Sequence, residues 1–268
     1  MEATHAYHQQ MRAEVIRKKI NTVRWYHIIE LAPGILTPGV NDAAAILNQM
    51  KLPADCHGLR VLDLGARDGA FSFELERRGA AVVAVDYMPK EKTGFLIAAE
   101  LLQSNVEYRH ANIFDLTPEE YGTFDIIFFL GLLYHLPDPM RAIRIVRSLC
   151  RGEMFLETHV IDNAFLMPDG SSISLEQAAP GLSDAPIMQF YPKNSLEGDW
   201  TNYWGPNIAC LKAMLEENNF EIISVQVVDS RATLHSKVTD DDRLARAVNA
   251  AYAVRTGSLF SGSDRENR

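Results

Sequence analysis

At 268 residues the chain is long enough for one sizeable core with an added lid or helical cover. Its composition, 47% hydrophobic and 23% charged, is that of an ordinary globular protein, and a formal net charge of −9 gives no electrostatic footprint for nucleic acid. Three widely spaced cysteines, Cys56, Cys150 and Cys210, argue against a disulfide framework or a cysteine zinc site and fit a reducing cytoplasm.

The N-terminus is polar where a signal peptide would need an apolar run, and the apolar stretch at 126–133 is too short to span a bilayer. A cytoplasmic protein with no membrane partner is expected. Met11, Val15, Ile16 and Ile20 fall at helical spacing and predict an amphipathic helix over 8–20. The basic residues Arg12, Arg17, Lys18, Lys19 and Arg24 read as its solvated face rather than as a nucleic-acid patch. Residues 25–31 read as extended, and Pro33-Gly34 and Pro38-Gly39 mark turns. A short helix from Asn41 or Asp42 to Met50 completes an N-terminal cover, 1–58.

From residue 59 strand and helix signals alternate. Strands are predicted near 60–64, 81–85, 106–109, 124–129 and 152–158, and helices near 70–79, 91–104 and 138–149. The pattern implies an α/β fold, a doubly wound and mostly parallel Rossmann-like sheet over 59–240. Residues 162–205, rich in Pro, Gly, Ser and Asp, predict an inserted lid. Asn207 opens a helix to about residue 217, and two runs, 222–228 and 231–238, are expected to pair antiparallel at the sheet edge, giving seven strands. A helix over 241–255 and a polar tail from Gly257 close the chain at 241–268.

Ligands of such sheets bind beyond the carboxyl ends of the strands, so the residues just after each strand carry the chemistry. The run Val61-Leu62-Asp63-Leu64-Gly65-Ala66-Arg67-Asp68-Gly69 is a strand, a glycine turn and a helix start, the geometry of a nucleotide-binding corner. Asp86 ends the second strand, and Asn112 and Ile113 follow the third. One cofactor accounts for all of these: the glycines pass under an amino-acid part, Asp86 accepts both ribose hydroxyls, Asn112 and Ile113 hold an adenine, and Asp63 lies near an amino group. A plain glycine turn of structural purpose is the blander reading of the corner alone, and a nicotinamide Rossmann fingerprint is absent from its spacing.

Residues 61–69 together with 82–86 resemble the class I S-adenosylmethionine-dependent methyltransferases, with a likeness running from about 59 to 238. That resemblance implies S-adenosylmethionine as cofactor, held by Asp63, Gly65, Ala66, Gly69, Asp86, Tyr87, Asn112, Ile113 and Gly131. Many members carry a further glycine where this chain has Ala66-Arg67. In the second half, Gly131-Leu132-Leu133-Tyr134-His135-Leu136, Leu156-Glu157-Thr158-His159 and Gly205-Pro206-Asn207 look like the branch that includes tRNA wobble-uridine carboxymethyltransferases. They also look like natural-product and sugar methyltransferases that share Trp25-Tyr26-His27 and Thr37-Pro38-Gly39.

Methyl transfer to a hydroxyl gains from a base, and His135, Tyr134 and His159 are the candidates. Glu157, Trp200, Tyr203, Trp204 and Asn207 are expected at the acceptor. A core or capping role for His135, and lid packing for the aromatic residues, stand beside those readings. Metal ligation by His135, His159, Asp138 and Asp162 has no specific spacing behind it, and no metal is expected. The leading expectation is methylation of a small-molecule acceptor, most readily at oxygen, with oligomeric state open. Two alternatives stay open. One is a tRNA-modifying enzyme using carboxy-S-adenosylmethionine, with Arg67, Lys90 or Arg231 taking its extra carboxylate; the other is a cofactor-binding module without turnover.

Overall fold

The computed structural model describes residues 2–240. The helix and tail expected beyond residue 240 lie outside the described residues. Helix α1 (Glu2–Ile20) leads into a ribbon with strands β1 (Glu30–Ala32) and β2 (Ile35–Leu36), then α2 (Ala43–Gln49), capped by Asp42. The alternating body follows: β3 (Arg60–Leu64), α3 (Ala70–Arg77), β4 (Ala81–Asp86), α4 (Phe95–Leu102), β5 (Glu107–His110), α5 (Pro118–Tyr121), β6 (Phe124–Leu130), α6 (Pro139–Leu149) and β7 (Cys150–His159). The lid carries the hairpin β8 (Phe165–Leu166) and β9 (Ser172–Ile173), the short helix α7 (Leu175–Ala178), and the antiparallel pair β10 (Met188–Phe190) and β11 (Trp204–Pro206). Helix α8 (Ile208–Glu216), β12 (Phe220–Val228) and β13 (Arg231–Val238) complete the described chain.

Seven strands form the central sheet in the order β12-β13-β7-β6-β3-β4-β5. The five from β5 to β7 are parallel, and β13 runs antiparallel to both β7 and β12. The hairpin expected at the edge therefore folds back so that its second strand, not its first, meets the sheet. Strand β3 lies between β4 and β6, where the winding order reverses, and this is where such sheets open a crevice for ligand.

The parallel strands lack polar alternation because both their faces are covered. In β6, Ile127 and Phe129 pack with α6 and α8, while Ile126, Phe128 and Leu130 pack with α1, α3 and α4. Burial of each such side chain is worth about 1.5–3 kcal/mol. On α1 half of the expected stripe is exposed: Ile16 and Ile20 are buried with Trp25, but Met11 and Val15 are 45% and 51% exposed. The expected lid is structured rather than loop-like, because Ile161, Leu175 and Tyr191 give it a small core of its own. All three cysteines are free. Among the described residues no helix is long and apolar enough to cross a membrane.

Candidate active site

The corner after β3 turns through residues with positive φ: Gly65 at 77°, Arg67 at 48° and Gly69 at 88°. The N–H groups of Gly65 and Ala66 both donate to the Val85 carbonyl, at 2.8 and 3.2 Å, which pins the loop to the end of β4. A Cβ on Gly69 would collide with the rings of Phe73 and Phe95, so glycine is required there for space as well as for φ. Arg67 carries the left-handed conformation without being glycine, held there by its N–H donating to Asp86 Oδ2 at 2.8 Å.

Asp86 Oδ1 accepts the Met88 N–H, also at 2.8 Å. Each carboxylate oxygen thus keeps a lone pair for a further donor, as two ribose hydroxyls would require. Burial raises the Asp86 carboxyl above its ordinary value, and the two amides oppose the rise. Asp63 is buried on the α3 face of β3 and accepts from Ser72 Oγ at 2.5 Å. Burial pushes it up to about 7, with the Ser72 hydroxyl acting the other way.

Beyond β5, Asn112 caps a single turn by accepting the Phe114 N–H at 3.0 Å, which leaves its amide NH2 unspent beside the buried Ile113. Tyr87 is 65% exposed and meets its neighbourhood through its carbonyl, 2.8 Å from His110 Nε2. Glycine turn, acidic strand end and amide thus stand just beyond the carboxyl ends of the adjacent strands β3, β4 and β5.

On the other side of β3, Gly131, φ 66°, donates its N–H to the Glu157 carbonyl at 2.9 Å, joining the ends of β6 and β7. Glu157 meets Arg231 through both oxygens at 2.6 Å, and the Arg231 guanidinium rests 4.7 Å from the centre of the Tyr134 ring. Glu157 is therefore held in an ion pair with Arg231 at the end of β7. Burial raises the Tyr134 phenol, and Arg231 opposes the rise. Tyr134 thus stays protonated at neutral pH.

His135 Nδ1 lies 3.1 Å from the Thr201 carbonyl and 2.9 Å from Thr201 Oγ1. A carbonyl only accepts, so Nδ1 carries the proton and Nε2 is the basic nitrogen. Thr201 Oγ1 donates in turn to Asp199 Oδ1 at 2.7 Å. Burial lowers the His135 value, with the Thr201 carbonyl and Asp199 acting the other way. His159 is 5% exposed, its Nε2 lies 2.9 Å from the Tyr191 hydroxyl, and burial followed by the charge of Arg231 lowers it to about 4. It fastens the lid to β7.

The other lid residues divide. Tyr203 donates its N–H to the Tyr134 carbonyl at 2.8 Å and so touches the site through backbone. Trp204 donates Nε1 to the Pro137 carbonyl at 3.2 Å and packs its ring on exposed Phe190. Trp200 is 65% exposed, so the expected wall of three aromatics does not form. Asn207 is fully buried, and its oxygen accepts from Ile187 and Cys210 while its amide donates to Ser183 and Ala185. It caps α8 and cannot face an acceptor. Asp138 caps α6 and Asp162 accepts the Ile208 N–H; among the described residues no three His, Cys, Asp or Glu side chains form a group able to hold a metal ion.

Sequence reasoning missed Asp68, Tyr26 and His27 as site residues. The Asp68 carboxylate accepts the Tyr26 and His27 N–H groups, and the Arg67 guanidinium lies 4.8 Å from the Tyr26 ring centre. The one signal was the placing of Asp68 inside the glycine motif; nothing local pairs it with residues 41 and 42 positions earlier.

Residues 30–225 match a family model described as a methyltransferase domain. The ubiquinone biosynthesis O-methyltransferase of Xanthomonas axonopodis pv. citri (strain 306) is 37% identical over 108 residues, 38% of this chain and 43% of that protein. That of Xanthomonas oryzae pv. oryzae (strain PXO99A) is 36% identical over 115 residues, 42% and 48%. The chain thus spans less than half the length of these curated relatives. Among solved structures, the N-terminal domain of EvdMO1 in the presence of SAH and D-fucose superposes with a TM-score of 0.57 at 21% identity, over 85% of this chain and 96% of that one. An S-adenosylmethionine-dependent methyltransferase from Mesorhizobium loti gives 0.52 at 17% identity, over 72% and 96%.

Proposed function

The chain belongs to the class I S-adenosylmethionine-dependent methyltransferases, and from that membership we propose that it methylates a hydroxyl oxygen of a small-molecule acceptor, such as a natural product or sugar. When bound, S-adenosylmethionine supplies a methyl group on a positively charged sulfur, which leaves as a thioether as the acceptor oxygen forms the new C–O bond. Gly65, Ala66 and Gly69 would hold its amino-acid part with Asp63 nearby, Asp86 its ribose, and Asn112 and Ile113 its adenine, with Tyr87 and Gly131 at the rim.

The observation that carries the oxygen reading is the chain from His135 through Thr201 to Asp199. It fixes the tautomer that leaves Nε2 as a proton acceptor, and a low histidine value keeps that nitrogen unprotonated at neutral pH. His135 Nε2 then takes the hydroxyl proton as the C–O bond forms. Tyr134, set by Arg231, orients the acceptor, and Glu157 keeps the Arg231 charge in place. Positioning and water exclusion supply most of the remaining rate. The names of the curated relatives, O-methyltransferases acting in ubiquinone biosynthesis, agree with an oxygen acceptor.

The test uses methyl-labelled S-adenosylmethionine with the full chain and a cell extract separated into small molecules and bulk tRNA. Label in an alkali-stable ether of the small-molecule fraction supports the reading. Label in tRNA sinks it in favour of RNA modification, and no label in either, with the cofactor bound, sinks it in favour of a binding module.

A further inference from the structure

Asp68 stands between Arg67 and Gly69 and is fully buried. A buried carboxylate must be met by donors, and here all of them come from elsewhere in the chain. Oδ2 accepts the N–H groups of Tyr26 at 2.6 Å and His27 at 3.0 Å, and Oδ1 accepts that of Gly94 at 2.8 Å. From the far side of the same ribbon, Thr37 Oγ1 donates to the His27 carbonyl at 2.6 Å and accepts the Ile29 N–H at 2.8 Å. Val40 and Asn41 donate to the Tyr26 carbonyl, both at 2.9 Å. Residues 26–41 are thus a small hydrogen-bonded unit with one fully buried anchor on the glycine loop.

That anchor sets two things. It lays the Tyr26 ring under the Arg67 guanidinium, at the residue whose N–H holds Asp86. It also leaves the Tyr26 hydroxyl within reach of the Asn41 side-chain amide, 3.4 Å away, at the far end of the same ribbon.

We propose that Asp68 is a positioning residue that links cofactor binding to docking of the ribbon that carries Tyr26. The physical basis is reciprocity. Asp68 faces the ribbon beside the left-handed turn at Arg67, on the same loop that would carry the cofactor. Whatever favours one arrangement favours the other, so loosening the ribbon must weaken cofactor binding, by at most the factor through which the cofactor tightens the ribbon. The inference depends on the cofactor site alone and not on the acceptor proposed above.

The test measures S-adenosylhomocysteine affinity by calorimetry and amide hydrogen exchange with and without that ligand, in the full chain and in Asp68→Asn and Thr37→Val. In the unaltered protein the ligand should slow exchange at Tyr26 and His27. Asp68→Asn should abolish that protection and weaken affinity about tenfold or more, the scale of lost hydrogen bonds to a charge. Thr37→Val, whose hydroxyl bonds only within the ribbon, should weaken affinity by roughly threefold to tenfold through linkage alone. Exchange at Tyr26 and His27 that ignores the ligand overturns the proposal. So does a Thr37→Val ribbon that exchanges faster while affinity stays unchanged. If Asp68→Asn does not fold, these two measurements still decide, and neither uses an acceptor.

Discussion

The guanidinium of Arg231 meets both carboxylate oxygens of Glu157 at 2.6 Å, joining residues 74 positions apart at the ends of β7 and β13. The Glu157 side chain is 8% exposed and that of Arg231 is 38% exposed. Removing either partner leaves the other charge poorly solvated. Arg231→Met and Glu157→Gln should each cost roughly 1–3 kcal/mol, less than for a fully buried pair because solvent screens the arginine. In urea unfolding the double variant should lose clearly less than the sum of the single ones; simple additivity would mean that the pair does not hold the site together.

Asp86 offers one free lone pair on each oxygen at the end of β4. Asp86→Ala should weaken S-adenosylmethionine about tenfold or more in calorimetry, on the scale of hydrogen bonds to a charged group. Its two amide partners, Arg67 and Met88, would also be left without an acceptor. An unchanged affinity would remove Asp86 from the ribose.

With His135 as base, kcat should rise with pH and level off once Nε2 is deprotonated, below the ordinary histidine value because burial lowers it. Asp199 acts to raise that value, so Asp199→Asn should move the acidic limb to still lower pH and reduce kcat with little change in acceptor KM. His135→Ala should cost on the order of 100-fold to 10,000-fold in kcat. An unshifted pH profile in Asp199→Asn would break the proposed relay.

His159 is lowered by burial from 6.5 to about 4 in the folded protein. The unfolded chain therefore takes up the proton first, and the stabilising effect of a neutral His159, complete above 6.5, is lost as the pH falls from there towards 4. Asp63 works the other way. Burial raises it from 3.8 to about 7, so its contribution is present at low pH and is lost as the pH rises through 7. Acid unfolding followed by circular dichroism should flatten in His159→Phe and steepen in Asp63→Asn. The opposite pair of slopes would refute both assignments.

The parallel sheet was legible because its strands are buried on both faces and so appear as unbroken apolar runs, as in 124–130. The ends of β3, α3, β6 and α6 were equally plain, since glycine, Pro139 and the cap Asp138 punctuate locally. The elements inside the lid were not legible because its strands are two or three residues each, too short to show a period. Asn207 was legible as a helix cap, but whether its remaining amide faced a ligand depended on Ser183, Ala185 and Ile187, brought to it by the β10–β11 pairing.

By itself the sequence determined the class of sheet and the glycine corner, because each follows from contacts within a few residues or from the period of burial, and the resemblance of residues 61–69 and 82–86 to a family implied the kind of cofactor. Only the tertiary structure decided what the polar residues around that corner do. Arg231 reaches Glu157 because β13 inserts beside β7, and Asp68 reaches Tyr26 because the ribbon folds back across 41 intervening positions. A charged or polar side chain shows its chemistry in the sequence, but the partner that uses it up is set by long-range packing.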